Sequence, residues 1–473
     1  SGGHVRAQLA QALHEVLVAA VDAVYVAQRG AAVRLEHADQ ENRGRTQGRR
    51  ADELRAAQVA RASDLDAVQI HEHSVRAEAV EPHLLRITAN GPYPFLPSDL
   101  TQLAIVSRRH GEHATTADYN SGAAVIGTGP YKLVEWVPGD RLVYQRNDDF
   151  WGARPAWARV VVKPVTNTAA RTVALMSGAV DLINLVSPDD LPALRARGGI
   201  ALRERPEERL MYMAIDANRD RSPFVTDLNG APLDRNPLRD IRVRRAISKA
   251  IDRRALVDKV MSGQAIAAGD LLPPGVFGTD PSLTPEPYDP DGARRLLADA
   301  GWKGGFGLTV HGPNDRYLND AKVTQAVAQF LTRVGIATKV ETMPKSVYFT
   351  RVAHRDLSLF LIGTSAALGT GTYGMLSYIF ATRDPVRLLG SGNWGHYSNA
   401  KVDDLVSRAA VTMDDAQREA LLREGGAIVL RDDLGVIPLY FSVNTWAMRD
   451  GIAYTPRSDS YTLAVDAHPA VSK

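Results

Sequence analysis

Apolar positions along the chain fall into two textures that meet near residue 82. Before that point Ala, Arg, Gln and Glu dominate, Tyr25 is the one aromatic residue, and apolar side chains follow no clean stripe. Helix propensity alone predicts residues 1–81 to be helical or poorly ordered. Beyond Pro82, short apolar runs alternate with helical patterns. Ala104-Ile105-Val106, Arg159-Val160-Val161-Val162 and Leu308-Thr309-Val310 predict buried strands bounded by Gly and Pro. Pro138-Gly139-Asp140 is a turn signal that folds Tyr131 to Tyr144 into a hairpin. Residues 240–259, 289–300, 320–333 and 414–431 carry apolar residues at three- and four-residue spacing, each opening at or near an Asp suited to an N-cap. Strands interleaved with such helices predict an α/β fold rather than a sandwich or a bundle.

Composition changes this picture mainly by exclusion. A length of 473 residues supports two or three domains' worth of core, and the absence of cysteine removes disulfides, thiolate metal sites and cysteine nucleophiles. Fifty-six basic against fifty-four acidic residues give a net charge of +2, which argues against binding to nucleic acid or a membrane surface through bulk charge. No apolar run is long enough to span a bilayer. Residues 1–30 contain no signal peptide, so an exported protein is expected here in its mature form.

The catalytic inventory is thin. Gly369 to Gly374 and Gly390 to Gly395 both fit G-x-G-x-x-G. The first follows its strand only after a long loop, and the second runs into Tyr397-Ser398-Asn399, so flexible loops are the better reading. There is no phosphate loop, no nucleophile elbow and no H-E-x-x-H helix. His71-Glu72-His73 could present two imidazoles on one face of a strand, but no third ligand is identifiable, and no metal or cofactor is expected. The pairs Asp189-Asp190, Asp403-Asp404 and Asp414-Asp415 sit at predicted helix starts, where capping explains them without acid–base chemistry. No catalytic residue is assigned. The rival expectation from another class is a hydrolase using scattered carboxylates. His311 to Tyr317 stands apart, because it follows a strand and precedes a helix, where open α/β sheets bind ligands.

Three blocks occur in order. Ile126-Gly127-Thr128-Gly129-Pro130-Tyr131 runs through Pro138-Gly139-Asp140 to Trp151-Gly152. Leu238 to Ile247 is followed by Ala250-Ile251-Asp252-Arg253, Gly263 and Pro273-Pro274-Gly275. Tyr397-Ser398-Asn399 is followed by Val402 to Leu405, Arg418 and Ile437-Pro438-Leu439-Tyr440, and Ser177 to Asp181 also fits. Together they resemble the extracytoplasmic solute-binding proteins of the dipeptide/oligopeptide/nickel type (family 5) that serve ABC importers, over about residues 83–465. The resemblance implies a two-lobed, periplasmic-binding-protein-like (type II) α/β fold with an extra N-terminal subdomain. Lobe one would comprise residues 1–212 and a return segment 437–473, and lobe two residues 213–436, with crossings near 210–218 and 436–443. It also implies a monomeric periplasmic receptor whose partners are a small-molecule or peptide solute and a membrane permease, without nucleic acid.

Two departures bear on the ligand. The turn resembling K-F-H-D-G that the family carries early is not visible in residues 1–81. Peptide binders of the family usually place an Asp in the loop that here follows Leu359 to Ile362, whereas residues 363–373 contain no acid. An uncharged, hydroxyl-rich loop suits a small polar organic solute, with short peptides as the alternative. The expected contacts are Asn314, Asp315, Arg316 and Tyr317, then Thr364, Ser365 and Tyr373, and Asp459 and Tyr461 from the tail.

Overall fold

The computed structural model describes residues 31–36, 68–70, 73–101, 106–365 and 370–470. Two long strands, Ile200–Ile215 and Val436–Arg449, pair antiparallel along most of their length and form the spine. At one end the sheet continues outward from Ile200–Ile215 through Leu359–Ser365 and Gly307–Pro313 to Val225–Thr226, with Ala337–Met343 also paired to Gly307–Pro313. At the other end Val436–Arg449 pairs with Leu182–Ile183, and the order continues through Ala31–Glu36, Arg159–Pro164 and Arg141–Arg146 to Tyr131–Val137.

Side-chain alternation shows why one spine serves two cores. Along the first strand Leu210, Tyr212 and Ala214 enter one apolar cluster, while Met211, Met213 and Ile215 enter another on the opposite face. Such two-sided burial explains the unbroken apolar run from Leu210 to Ile215. On the second strand, Trp446 and Met448 join Val33, Leu35, Val160 and Leu182, whereas Ala447 joins Ala32, Leu175 and Leu194 on the other face. Four clusters therefore lie in two pairs, one pair per lobe. The changeover falls between Leu202 and Leu210 on one strand and between Phe441 and Trp446 on the other.

The helix propensity of residues 1–81 does not decide the structure where that segment is described. Ala31–Glu36, Val68–Ile70 and His73–Glu81 are strands. Tertiary pairing overrides weak helix propensity here, because the alternation of Val33, Arg34 and Leu35 seats Val33 and Leu35 in a core that helix geometry would split. Ala31–Glu36 belongs to lobe one's half of the sheet, but the hairpin around His73–Glu81 packs through Val75 against the cluster of Tyr348 and Phe360 in lobe two. Of the strand expected at Ala104-Ile105-Val106, Ala104 and Ile105 lie outside the described residues, and Val106 is exposed coil. His71 and Glu72 are likewise outside them, and among the described residues no three His, Asp or Glu side chains converge as a metal site would need.

Three of the four expected helices form close to their expected bounds: Pro290–Asp299, Asp320–Arg333 and Asp415–Ala427. The fourth breaks after Ile241–Ala250, because Asp252 caps a new turn by accepting the Ala255 N–H. Asp414 caps its helix as expected, but Asp189 and Asp403 do not cap: Asp189 pairs with Lys322 and Asp403 accepts from Thr382.

Candidate functional site

The cleft lies where the spine changes lobes. Between the pairs Phe441–Leu210 and Val443–Pro206 the register slips, so Glu207, Glu208 and Arg209 stand opposite Ser442 alone. A bulge of this kind re-aims side chains at a strand's functional edge. Here Glu207 and Arg209 are turned into a cavity of about 800 Å³, a volume suited to a small organic solute. Met211, Met261 and Tyr440 add apolar surface to its lining.

One wall comes from lobe one. The helix Thr168–Met176 starts at the cavity, with Asn167 as N-cap accepting the Ala170 N–H at 2.9 Å. Arg171 is 3% exposed, and its guanidinium donates to the carbonyls of Val165 (2.6 Å), Thr166 (3.3 Å) and Leu185 (2.9 Å). Burial pulls its pKa down to about 10, so it remains cationic at neutral pH. Asp459, Ser460 and Tyr461 complete this side, Asp459 being held by Arg457 and by the Tyr461 N–H.

The facing wall comes from lobe two. It is the loop between the strand Gly307–Pro313 and the helix Asp320–Arg333, shaped by one carboxylate. Asp320 is 3% exposed and accepts the N–H groups of Arg316 (2.8 Å), Tyr317 (2.9 Å) and Ala321 (2.9 Å). Desolvation raises its pKa, and those three hydrogen bonds partly offset the rise. Asp315 accepts the Lys345 N–H at 2.6 Å, and the Arg316 guanidinium lies 4.6 Å from the Tyr317 ring centroid. The Tyr317 hydroxyl bonds to both the N–H (3.0 Å) and the carbonyl (3.2 Å) of Gly363, tying the loop to the neighbouring strand. Across the mouth, Lys322 of lobe two meets Asp189 of lobe one at 2.7 Å. Three lining residues, Leu185, Asn319 and Ser460, hold left-handed backbone conformations with φ of 49°, 54° and 68°. Strain of that sort collects at functional sites.

Of the expected contacts, Asn314, Asp315, Arg316, Tyr317, Ser365, Asp459 and Tyr461 come together around this cavity. Thr364 does not line it: on alternate sides of the strand from Ser365, its hydroxyl lies 3.3 Å from that of Tyr212. Tyr373 is corrected outright. Gly371, with φ of 60°, turns the chain into the short helix Thr372–Met375, and Tyr373 stacks on Phe95 at 4.0 Å within the core, 2% exposed. Residues 366–369 of that loop lie outside the described residues. Sequence reasoning missed Glu207, Arg209, Arg171, Asp320 and Lys345. The charged run Glu207-Glu208-Arg209, abutting six apolar residues, was the available signal for two of them.

Residues 37–385 match the profile of the bacterial extracellular solute-binding proteins, family 5, middle region. The chain belongs to this family. Like the other members it is a solute-binding protein, and the α/β fold expected from the motifs is the family's fold. It is 27% identical over 393 residues to the glutathione-binding protein GsiB of Escherichia coli (strain K12), covering 80% of this chain and 71% of that one. It is 23% identical over 389 residues to heme-binding protein A of Haemophilus influenzae, covering 80% and 66%. Among solved structures, the periplasmic binding protein DppA from Helicobacter pylori, in complex with the peptide STSA, aligns with a TM-score of 0.69 at 20% identity, covering 84% of this chain and 74% of that one. NikA from Brucella suis, in complex with Fe(III)-EDTA, aligns with a TM-score of 0.69 at 23% identity, covering 84% and 79%. No helix among the described residues of this solute-binding protein is long and apolar enough to cross a membrane.

Proposed function

We propose that this solute-binding protein is the periplasmic receptor of an ABC importer, closing its two lobes on a small polar organic solute and presenting it to the membrane permease. The observation that carries this reading is the cavity itself, placed at the changeover of the spine and lined from both lobes. In this reading lobe one runs to about residue 206 and resumes at about 444, lobe two lies between, and the receptor acts as a monomer. Seven of the expected contacts, Asn314 to Tyr317 with Ser365, Asp459 and Tyr461, serve as ligand contacts.

A hydrolase is disfavoured by how the cleft carboxylates are held. Glu207 pairs with Arg209, Asp459 with Arg457, Asp315 with the Lys345 N–H and Asp320 with three N–H groups, so no two stand ready for acid–base work. Short peptides are the second reading, favoured by the relatives that bind glutathione; the ammonium-binding acid missing after Ser365 would then come from another acid of the cleft, such as Glu207 or Asp459. Small-angle scattering with and without a pool of polar metabolites tests the receptor reading. Compaction on binding is expected, because lobe closure shrinks the molecule. Turnover of a solute without compaction would favour the hydrolase.

A further inference from the structure

Asparagine is followed by glycine twice in the sequence, at Asn90-Gly91 and Asn229-Gly230. Glycine in that place leaves its amide nitrogen unshielded, because no Cβ stands beside it and its backbone turns freely. The two pairs are equally exposed but differently held. Asn90-Gly91 forms a bend where the strand Leu84–Ala89 ends. Among the described residues nothing hydrogen-bonds to the Asn90 side chain or to the Gly91 N–H, and a side chain added at Gly91 would meet nothing within 4 Å. Asn229-Gly230 is tied down by Asp227. The Gly230 N–H donates to the Asp227 carbonyl at 3.2 Å, and Asp227 Oδ1 accepts the N–H groups of Asn229 (2.9 Å) and Ala231 (2.8 Å).

From this contrast we infer that Asn90 is a self-modification site of the folded protein, deamidated through attack by the Gly91 nitrogen, and that Asn229 is protected. Solvent hydroxide removes the Gly91 amide proton, becoming water. The nitrogen bonds to Asn90 Cγ, the Cγ–Nδ2 bond breaks, and the departing nitrogen takes a proton from water and leaves as ammonia. The product is a five-membered succinimide. Water then opens the ring at either carbonyl, giving aspartate or isoaspartate; one water enters, one ammonia leaves, and nothing is oxidised or reduced. Groups adjacent in one chain react at a high effective concentration when they can reach attack geometry, so freedom of the glycine nitrogen decides between the two sites. Each event replaces a neutral amide with a carboxylate and lowers the net charge by one, from +2 to +1. The isoaspartate form also lengthens the main chain next to Ala89, whose partner Val75 packs the hairpin onto lobe two. None of this depends on the receptor reading.

The test incubates the full chain warm at mildly alkaline pH, folded and in urea, with digestion at mildly acidic pH and peptide mass spectrometry. Asn90→Gln and Gly91→Ala are treated alongside. Gly91 is outside the left-handed region and has room for a methyl, so alanine folds there, but its Cβ hinders the attack. Glutamine keeps an amide at an exposed position and would have to close a larger ring. In the folded parent, Asn90 should convert at least fivefold faster than Asn229. In urea, where Asp227 no longer holds Gly230, the two rates should converge to within threefold. Both variants should slow conversion at position 90 at least fivefold, and isoelectric focusing should show a more acidic band growing in the parent and not in them. Conversion of Asn229 within twofold of Asn90 in the folded protein overturns the inference. So does undiminished conversion in Gly91→Ala, or an Asn90 still intact in the folded protein when Asn229 in urea is half converted.

Discussion

Asp320 is the residue on which the lobe-two wall depends, and Asp320→Ala is the sharpest perturbation of it. One carboxylate holds three backbone N–H groups at 2.8–2.9 Å, and it is nearly fully buried. A hydrogen bond to a charged group is worth about 1.5–3 kcal/mol, but three that share one acceptor do not add. The raised pKa shows that burying the charge already costs something, and the freed N–H groups of Arg316 and Tyr317 border a cavity that water can enter. The net loss is therefore expected near 2–4 kcal/mol rather than the full sum. With Arg316 and Tyr317 no longer held, affinity for the bound solute should fall at least tenfold, about 1.4 kcal/mol. Urea unfolding reads the first quantity and calorimetry the second. Asp320→Asn, which keeps one oxygen facing two of the donors, should lie between parent and Ala in both. A stability change under about 0.5 kcal/mol, which is ordinary for a surface substitution, together with unchanged affinity would refute the role assigned to this carboxylate.

Three further outcomes follow from particular contacts. Asp270 accepts the N–H groups of Leu271 and Asp280, yet burial pushes its pKa up to about 6. The folded state then holds that proton more tightly than the unfolded chain. Its contribution to stability is therefore greatest below about pH 4 and is lost as pH rises to about 6, by up to roughly 3 kcal/mol. Asp270→Asn should remove that loss, so parent and variant unfolding curves should diverge between pH 4 and 6 and run parallel above; curves parallel throughout would contradict it. Tyr317→Phe should cost about 1–2 kcal/mol in urea unfolding, because Gly363 loses both its donor and its acceptor partner. Lys322→Ala breaks an exposed pair and should cost no more than about 1 kcal/mol of stability. It should nevertheless enlarge the solute-free radius of gyration seen by scattering, since the pair bridges the cleft mouth; an unchanged radius counts against that bridge.

Much of the fold was legible because local signals and tertiary structure agree. Asp320–Arg333 shows a cap-like start and an apolar stripe in the sequence, and the two-sided burial of Leu210 to Ile215 leaves an apolar run no surface strand would carry. Ala31–Glu36 was illegible because its partners lie more than a hundred residues away in Arg159–Pro164 and Leu182–Ile183, and a six-residue alternation is too short to outweigh the helix-favouring composition of the sequence around it. The site divides the same way. Asn314 to Tyr317 were visible from their place between a strand and a helix, whereas Arg171 and Glu207 read as ordinary helix and strand residues until a bulge and a helix start turned them inward. Tyr373 misled because a glycine-rich loop looks open in sequence, while Gly371 sends it back into the core.

Occupation of the cavity at the lobe changeover is tested most directly by a thermal-shift screen of polar solutes against the parent and a Ser442→Trp variant. Ser442 lines the cavity opposite the bulge, so an indole there intrudes into it and obstructs a solute. A solute at 100 times its dissociation constant should stabilise the parent by about 2.7 kcal/mol and the obstructed variant by much less. Equal stabilisation of both proteins, or none of the parent by any solute, would contradict solute binding in this cleft.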